Sequence, residues 1–286
     1  MNADSIFHIG ATHSVCEDYA IAANQTRTHP YVVLSDGCST SPDTDIGARL
    51  LVKAAEQLLK VDIEHEPATL HNRAARLALS WSELLGLPSQ SIDATLLTAS
   101  VFKDEVVASC SGDGLIVMES MEGELDVYSI SYPSGYPLYP AYLHQSARLE
   151  QLTLTERSHK EVQHFHSTSK GGHLRHESTR SSDEITEVIR IGSSGCKIVS
   201  LCSDGVQSFL KTSHSDEART VEPIHVAEVI KELLCFKSLN GAFVARRLQK
   251  FLKESAAKGW QHSDDLSIAA IHVGGGLCST PTPFPA

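Results

Sequence analysis

Residues 31–60 read YVVLSDGCSTSPDTDIGARLLVKAAEQLLK. Tyr31 to Leu34 is apolar and β-branched and stops at Ser35, Asp36 and Gly37, the pattern of a buried strand ending in a turn. Beyond a loop of Ser, Thr, Asp and Pro, residues from Ile46 to Lys60 set Leu50, Leu51, Ala54, Ala55, Leu58 and Leu59 at helical spacing, so a one-faced helix follows the strand. The pattern recurs downstream. Cys196 to Cys202 is an apolar run entering Ser203, Asp204 and Gly205, and two helical stretches follow, Pro223 to Phe236 and Gly241 to Ala257. Working outward, Pro67 to Leu85 is another amphipathic helix, closed by Gly86, Leu87 and Pro88 as Gly and Pro close helices.

Ala94 to Phe102 and Glu105 to Cys110 read as two strands around a turn at Lys103 and Asp104, and Leu115 to Met118 continues the meander after Gly112, Asp113 and Gly114. Leu149 to Leu154 and Glu187 to Ile191 read as further strands, Tyr132 to Tyr142 as an irregular connection, and Leu266 to Val273 as the final strand. Helices and strands are abundant but segregated, which predicts an α+β fold. One domain is expected over 1–274. Residues 156–183, thick with His, Ser, Lys and Arg, read as a flexible insertion outside the core, and 275–286 as a disordered tail.

The 286 residues are 41% hydrophobic and 21% charged, ordinary globular usage that excludes fibrous and low-complexity classes. A net charge of −11 without a Lys/Arg run argues against nucleic acid. No apolar run approaches a membrane span and the first sixteen residues do not read as a signal peptide, so the expectation is a cytoplasmic protein with no membrane partner. The seven cysteines show no CxxC spacing, which predicts reduced thiols rather than a disulfide framework or zinc site. His159, His164, His166, His173 and His176 likewise fit no compact zinc spacing, and their stretch reads as a solvated loop.

Asp-Gly after an apolar run occurs at Asp36, Asp113 and Asp204, and each alone is a common turn. Together with Glu17, Asp18 and Asp264 they form a set of carboxylates that each abut an apolar strand. Two carboxylates about 4 Å apart repel by roughly 4 kcal/mol at an effective dielectric near 20, and a bound Mg²⁺ or Mn²⁺ turns this into attraction. Oxygen-only ligands select such hard cations over zinc.

The order of these motifs resembles the metal-dependent protein phosphatases of type 2C, in their compact bacterial form. The resemblance runs from Gly10, His13, Glu17 and Asp18 through Val33 to Gly37, Ile46 to Ala48, Ala94 and Thr95, Ser111 to Gly114 and Leu201 to Val206, and closes on Asp264 to Ile268. It implies a four-layer α/β/β/α sandwich, two antiparallel sheets packed face to face with helices outside. It implies a serine/threonine phosphoprotein phosphatase with two Mn²⁺ or Mg²⁺ ions, acting by attack of a water or hydroxide held between them on a phosphorylated protein. By the same resemblance Asp36 bridges the ions, the carbonyl of Gly37 completes one shell, Asp204 and Asp264 bind the other ion, and Glu17 and Asp18 hold ion-bound waters. Asp264 rather than Asp265 is the expected ligand.

Three positions depart from the pattern. His13 stands where eukaryotic relatives carry a phosphate-gripping Arg, and bacterial relatives often have His. Cys38 replaces a His that serves as a candidate proton donor, and lacks the CxxxxxR loop of cysteine phosphatases, so it reads as a bystander. Ser208 replaces an Asp that, with Asp113, helps hold a third ion, which is therefore expected to bind more weakly. In relatives the flap beside the cleft lies where residues 156–183 fall, and Arg157, Lys160, Lys170, Arg175 and Arg180 would there face a phosphorylated partner. The runner-up reading is a catalytically silent module of the same fold that binds such a partner. A haloacid-dehalogenase reading of Asp43, Thr44 and Asp45 fails because that pair lies in a polar loop rather than at a strand end. A monomer is expected.

Overall fold

The chain runs β1 (Asn2–His8), β2 (Tyr19–Ala23), β3 (Tyr31–Ser35), α1 (Thr44–Val61) and α2 (Pro67–Leu84). A meander follows: β4 (Leu96–Phe102), β5 (Glu105–Ser111), β6 (Gly114–Ser120) and β7 (Leu125–Ser131). Next come α3 (Ser146–Leu154), β8 (Lys160–Ser167), β9 (Arg175–Ser182), β10 (Thr186–Gly192) and β11 (Cys196–Cys202). The remainder is β12 (Phe209–His214), β13 (Arg219–Pro223), α4 (Val226–Leu233), α5 (Phe243–Ala257), β14 (Trp260–His262) and β15 (Leu266–His272). The structure is a computed structural model that describes residues 1–24, 29–61, 66–154, 159–168, 172–214 and 219–274.

Two antiparallel sheets dominate, one of order β1-β15-β11-β6-β7-β8-β9 and one of order β10-β5-β4-β3-β2. Alternation along β3 shows why they face each other. Val32 and Leu34 join Leu97 and Ala99 in a layer shared with Ile116, Val199, Leu201 and Ala269 of the larger sheet. Tyr31 and Val33 point the other way, onto Leu51, Val52 and Ala55 of α1. On the opposite outer face, Val229 and Leu233 of α4 and Val244, Leu248 and Phe251 of α5 cover Val117, Ile198 and Ile268. Each such burial contributes about 2 kcal/mol relative to exposure. The expected four-layer α/β/β/α sandwich is therefore present.

Three expectations are corrected. Leu149 to Leu154 is not a strand but the end of α3, which buries none of its residues. Its alternation is too short to tell the two periods apart. Residues 156–183 are not an excursion from the core, because β8 and β9 extend the larger sheet and Val162, Phe165 and Lys160 are buried. Strand pairing supplies the missing partners there: β8 lies against β7 in register from Leu125↔Ser167 to Ser131↔Glu161. Residues 155–158 and 169–171 of this stretch, with Arg157 and Lys170, lie outside the described residues, as does the tail 275–286. The third correction is the small sheet of order β13-β12-β14, unforeseen because its strands are short and mostly polar.

Among the described residues Cys16, Cys38, Cys110, Cys196, Cys202 and Cys235 are free thiols. No helix there is long and apolar enough to cross a membrane.

Candidate metal centre

Register brings one end of both sheets together. Tyr19 pairs with Ser35 and Leu96 with Ser111 in one sheet, and Cys202 pairs with both Leu115 and Ile268 in the other. The residues just beyond those strand ends are Asp18, Asp36, Asp113, Asp204 and Asp264. The sequence scatters them over almost 250 positions, and the sandwich gathers them at one mouth.

Local bonds hold several of these segments in place. Asp36 is fixed at its backbone, its N–H donating to Thr95 Oγ1 at 3.0 Å and its carbonyl accepting from Thr95 N at 2.8 Å. Ser203 Oγ donates to Asp18 Oδ2 at 2.9 Å. Glu17 Oε1 accepts from Thr44 Oγ1 at 2.8 Å. Gly37 N donates to the Glu17 carbonyl, and a Cβ on Gly37 would lie 2.9 Å from Thr44, so the close approach of the two loops requires glycine. The constraint at Gly205 is tighter, since a Cβ there would meet the Asp265 carbonyl oxygen at 1.7 Å. Ser208, where relatives have Asp, donates to the Gly205 carbonyl at 2.8 Å and accepts from Asp264 N at 3.2 Å. It therefore braces the Asp264 backbone.

The electrostatics are those of buried acidic groups crowded together. Burial pushes Asp36 well above the usual carboxylate range, and Asp18, Asp204 and Asp113 push it further. Burial likewise raises Asp18 to about 7 and, with Asp204 and Asp264 adding, Asp113 to about 7. Asp264 is raised by burial and by Asp204. Asp18 Oδ1 is buried without a hydrogen-bond partner, an orphan that a native fold rarely tolerates unless an ion or water completes it. The donors are all oxygens, which suits hard divalent cations. On both counts the residues fit the metal that the type 2C resemblance implies.

Asp265 is held differently from Asp264. It is buried and accepts from Gly10 N at 2.7 Å and Glu17 N at 2.6 Å, and its Oδ2 lies 3.1 Å from His13 Nδ1. His13, Glu17 and Asp265 consequently bring one ligand atom each within 4.8 Å of one another. Asp265 already binds two backbone amides, so this trio is a wall of the site. His13 Nε2 lies 3.4 Å from Asp264 Oδ1. Burial pulls the His13 pKa down, yet the Asp265 hydrogen bond and the carboxylates of Asp265, Asp264 and Glu17 outweigh it, and the net shift is upward.

Sequence reasoning missed three parts of the surroundings. The bracing by Asp265 was readable, since neighbours at a strand start point to opposite faces. Tyr139 is buried and close enough to Cys38, Asp113 and Asp36 for each to raise its pKa, after burial itself. The third is the bidentate pair of Arg148 with buried Asp93, at 2.8 and 2.7 Å, which ties α3 to the loop before β4. No local signal announces either contact. Cys38 Sγ lies 3.1 Å from Thr40 Oγ1. Of the basic residues expected to face a partner, Lys160 is buried 3.8 Å from Glu187, and Arg180 also pairs with Glu187. His164 and His166 share Asp126 Oδ1 at 2.8 and 3.0 Å.

Behind the Asp113 turn, His71 of α2 is wholly buried, with Nδ1 2.7 Å from Ser111 Oγ and Nε2 3.0 Å from Ser109 Oγ. Burial pushes its pKa down to about 3.

The family model described as protein phosphatase 2C matches residues 8–253. Among solved structures the chain is similar to a bacterial serine phosphatase, at 11% identity and a TM-score of 0.57 over 96% of this chain and 99% of that one. It is similar to serine/threonine phosphatase Stp1 from Staphylococcus aureus at 12% identity and TM-score 0.56, over 96% and 95% of the two chains. A serine/threonine phosphatase of S. agalactiae gives 12% and 0.56, over 96% and 99%. At such identities the likeness is one of fold. No curated protein matches the sequence.

Proposed function

The chain belongs to the protein phosphatase 2C family, whose members are metal-dependent protein serine/threonine phosphatases, and from that premise we propose that it hydrolyses phosphoserine and phosphothreonine esters of proteins at the carboxylate mouth. The observation that carries this reading is the convergence of Asp18, Asp36, Asp113, Asp204 and Asp264 at one mouth, with the carboxyl pKa values of Asp18, Asp36, Asp113 and Asp264 raised and an Asp18 oxygen orphaned.

Asp36, Asp204, Asp264 and the Gly37 carbonyl would hold two Mn²⁺ or Mg²⁺ ions, with Glu17 and Asp18 holding their waters and Asp113 serving a weaker third ion. When bound, the ions lower the pKa of a water and neutralise phosphoryl oxygens during in-line attack. The protein supplies order. Thr95 and Ser203 fix Asp36 and Asp18, Ser208 steadies Asp264, and Asp265 orients His13. The His13 Nε2 beside Asp264 and the raised His13 pKa support a role for this side chain in holding a proton for the leaving serine or threonine oxygen. We assign it phosphate contact, the task of the Arg that eukaryotic relatives carry at its position, and proton supply, the task left open by Cys38.

Hydrolysis of a phosphothreonine peptide and of p-nitrophenyl phosphate with EDTA, Mg²⁺ or Mn²⁺ tests the proposal, with Asp36→Asn as the blank. Turnover that needs metal and disappears in the variant is expected. Metal binding by calorimetry without turnover on either substrate would instead favour a phosphate-binding module.

A further inference from the structure

A cavity lies at the far end of the larger sheet. Strand β6 starts at Gly114, beside Asp113, and ends at Ser120, about 20 Å away at 3.3 Å per residue. At that end a cavity of about 730 Å³ opens between α4, α5 and the β6–β7 turn. This lies in the 300–1,000 Å³ range of small-molecule sites. Its floor is apolar, with Leu125 and Leu234 buried and Ala257 exposed at the wall.

The rim carries the opposite sign from the protein as a whole. Five cations and three carboxylates line the cavity in a chain of net charge −11. Lys258 is spoken for by Glu232, and Arg247 and Lys250 by Glu254. Glu119 is held by Lys197. Lys231, half-buried, and Lys237, exposed, form no ion pair among the described residues. Two unpaired ammonium groups thus stand over an apolar floor. A smaller cavity of about 490 Å³ adjoins along Lys231 and Glu232.

We propose that this cavity binds a monomeric amphipathic anion, an acyl chain ending in a carboxylate or phosphate, with the chain on Leu125 and Leu234 and the head on Lys231 and Lys237. Charge complementarity selects this occupant. A neutral apolar molecule would leave both ammonium groups unanswered, and a small inorganic anion would leave the floor wet. Ion pairs at such a rim gain strength because the adjoining apolar walls exclude water.

The test does not depend on phosphatase activity. Decanoate, below its micelle concentration, is titrated into the full chain by calorimetry beside decanol. Alkylation of Cys235, an exposed thiol in the cavity lining, is followed by peptide mass spectrometry. One decanoate per chain is expected, binding at least tenfold more tightly than decanol and slowing Cys235 alkylation about tenfold. The double variant Lys231→Glu with Lys237→Glu should weaken decanoate tenfold or more and leave decanol unchanged. Ala257→Trp, an exposed position whose larger side chain fills the cavity, should abolish both. Decanoate binding that is indifferent to these variants, or that saturates at many sites, overturns the proposal. So does capture by anionic vesicles without binding of the monomer, or a change of oligomeric state in Ala257→Trp with decanoate affinity intact, which would make the cavity an interface between copies.

Discussion

Replacing Asp36 by Asn isolates the repulsion stored in the metal-free centre. Burial pushes the Asp18 pKa up to about 7 from an ordinary 3.8. At about 1.4 kcal/mol per pH unit, holding it ionised at pH 8 costs roughly 4 kcal/mol. Asp113, raised to about 7 by burial and by Asp204 and Asp264, carries a comparable cost, and because Asp18 and Asp113 both act on Asp36 the penalties are coupled rather than additive. A folded pKa above the unfolded one means that this stability is present below about pH 4 and is lost as pH rises through about 7. An Asn at 36 removes a buried charge that faces Asp18, Asp204 and Asp113. Taking the Asp18 cost as the scale for the likewise buried Asp36, the variant in EDTA at pH 8 should be more stable than the parent by about 3 kcal/mol, or about 5 °C in Tm for a chain of this length. At pH 5 most of the difference should vanish, because the parent's carboxyls are then protonated. Mn²⁺ at a hundred times its Kd should add about 2.7 kcal/mol to the parent and nothing to the variant. Calorimetric melts at both pH values, with and without Mn²⁺, supply all the numbers. A variant less stable than the parent in EDTA at pH 8, or an equal gain at pH 5, would refute the repulsion argument.

Other outcomes follow from single contacts. His71, held neutral with its pKa near 3, contributes stability above its unfolded pKa of about 6.5 and loses it as pH falls, so urea titrations should show about 2 kcal/mol lost by pH 5 from this group. His71→Asn should flatten that limb of the profile. Arg148→Met leaves the buried Asp93 carboxylate unpaired and should cost about 3 kcal/mol in urea melts, most of it recovered by adding Asp93→Asn. Phe165→Ala should cost about 3 kcal/mol as a core residue of β8, whereas a side chain on a solvated loop would change the melting curve by less than about 0.5 kcal/mol. Gly205→Ala drives a Cβ into the Asp265 carbonyl and should lower both Tm and Mn²⁺ affinity, the latter measured by calorimetry.

The sequence alone determined the elements whose physics is local. Tyr31 to Leu34 and Cys196 to Cys202 are unbroken apolar runs ended by Asp-Gly, and the Leu and Ala spacing after Ile46 has one period only. Strand, turn and helix there are written in neighbouring residues. The candidate ligands were legible for the same reason, since each sits at a run's end. What the tertiary structure alone decided depends on partners distant in sequence. The strands over residues 160–182 look polar because β9 is solvent-exposed and β8 pairs through its backbone with β7, and backbone pairing leaves little mark on composition. The division of labour between Asp264 and Asp265 follows from which side of β15 meets Gly10, Glu17 and His13. The carboxyl pKa values, the Arg148–Asp93 tie and the basic-rimmed cavity likewise arise between segments far apart in the chain. Electrostatic energy and cavity shape depend on distances in space, and only the folded sandwich sets those distances.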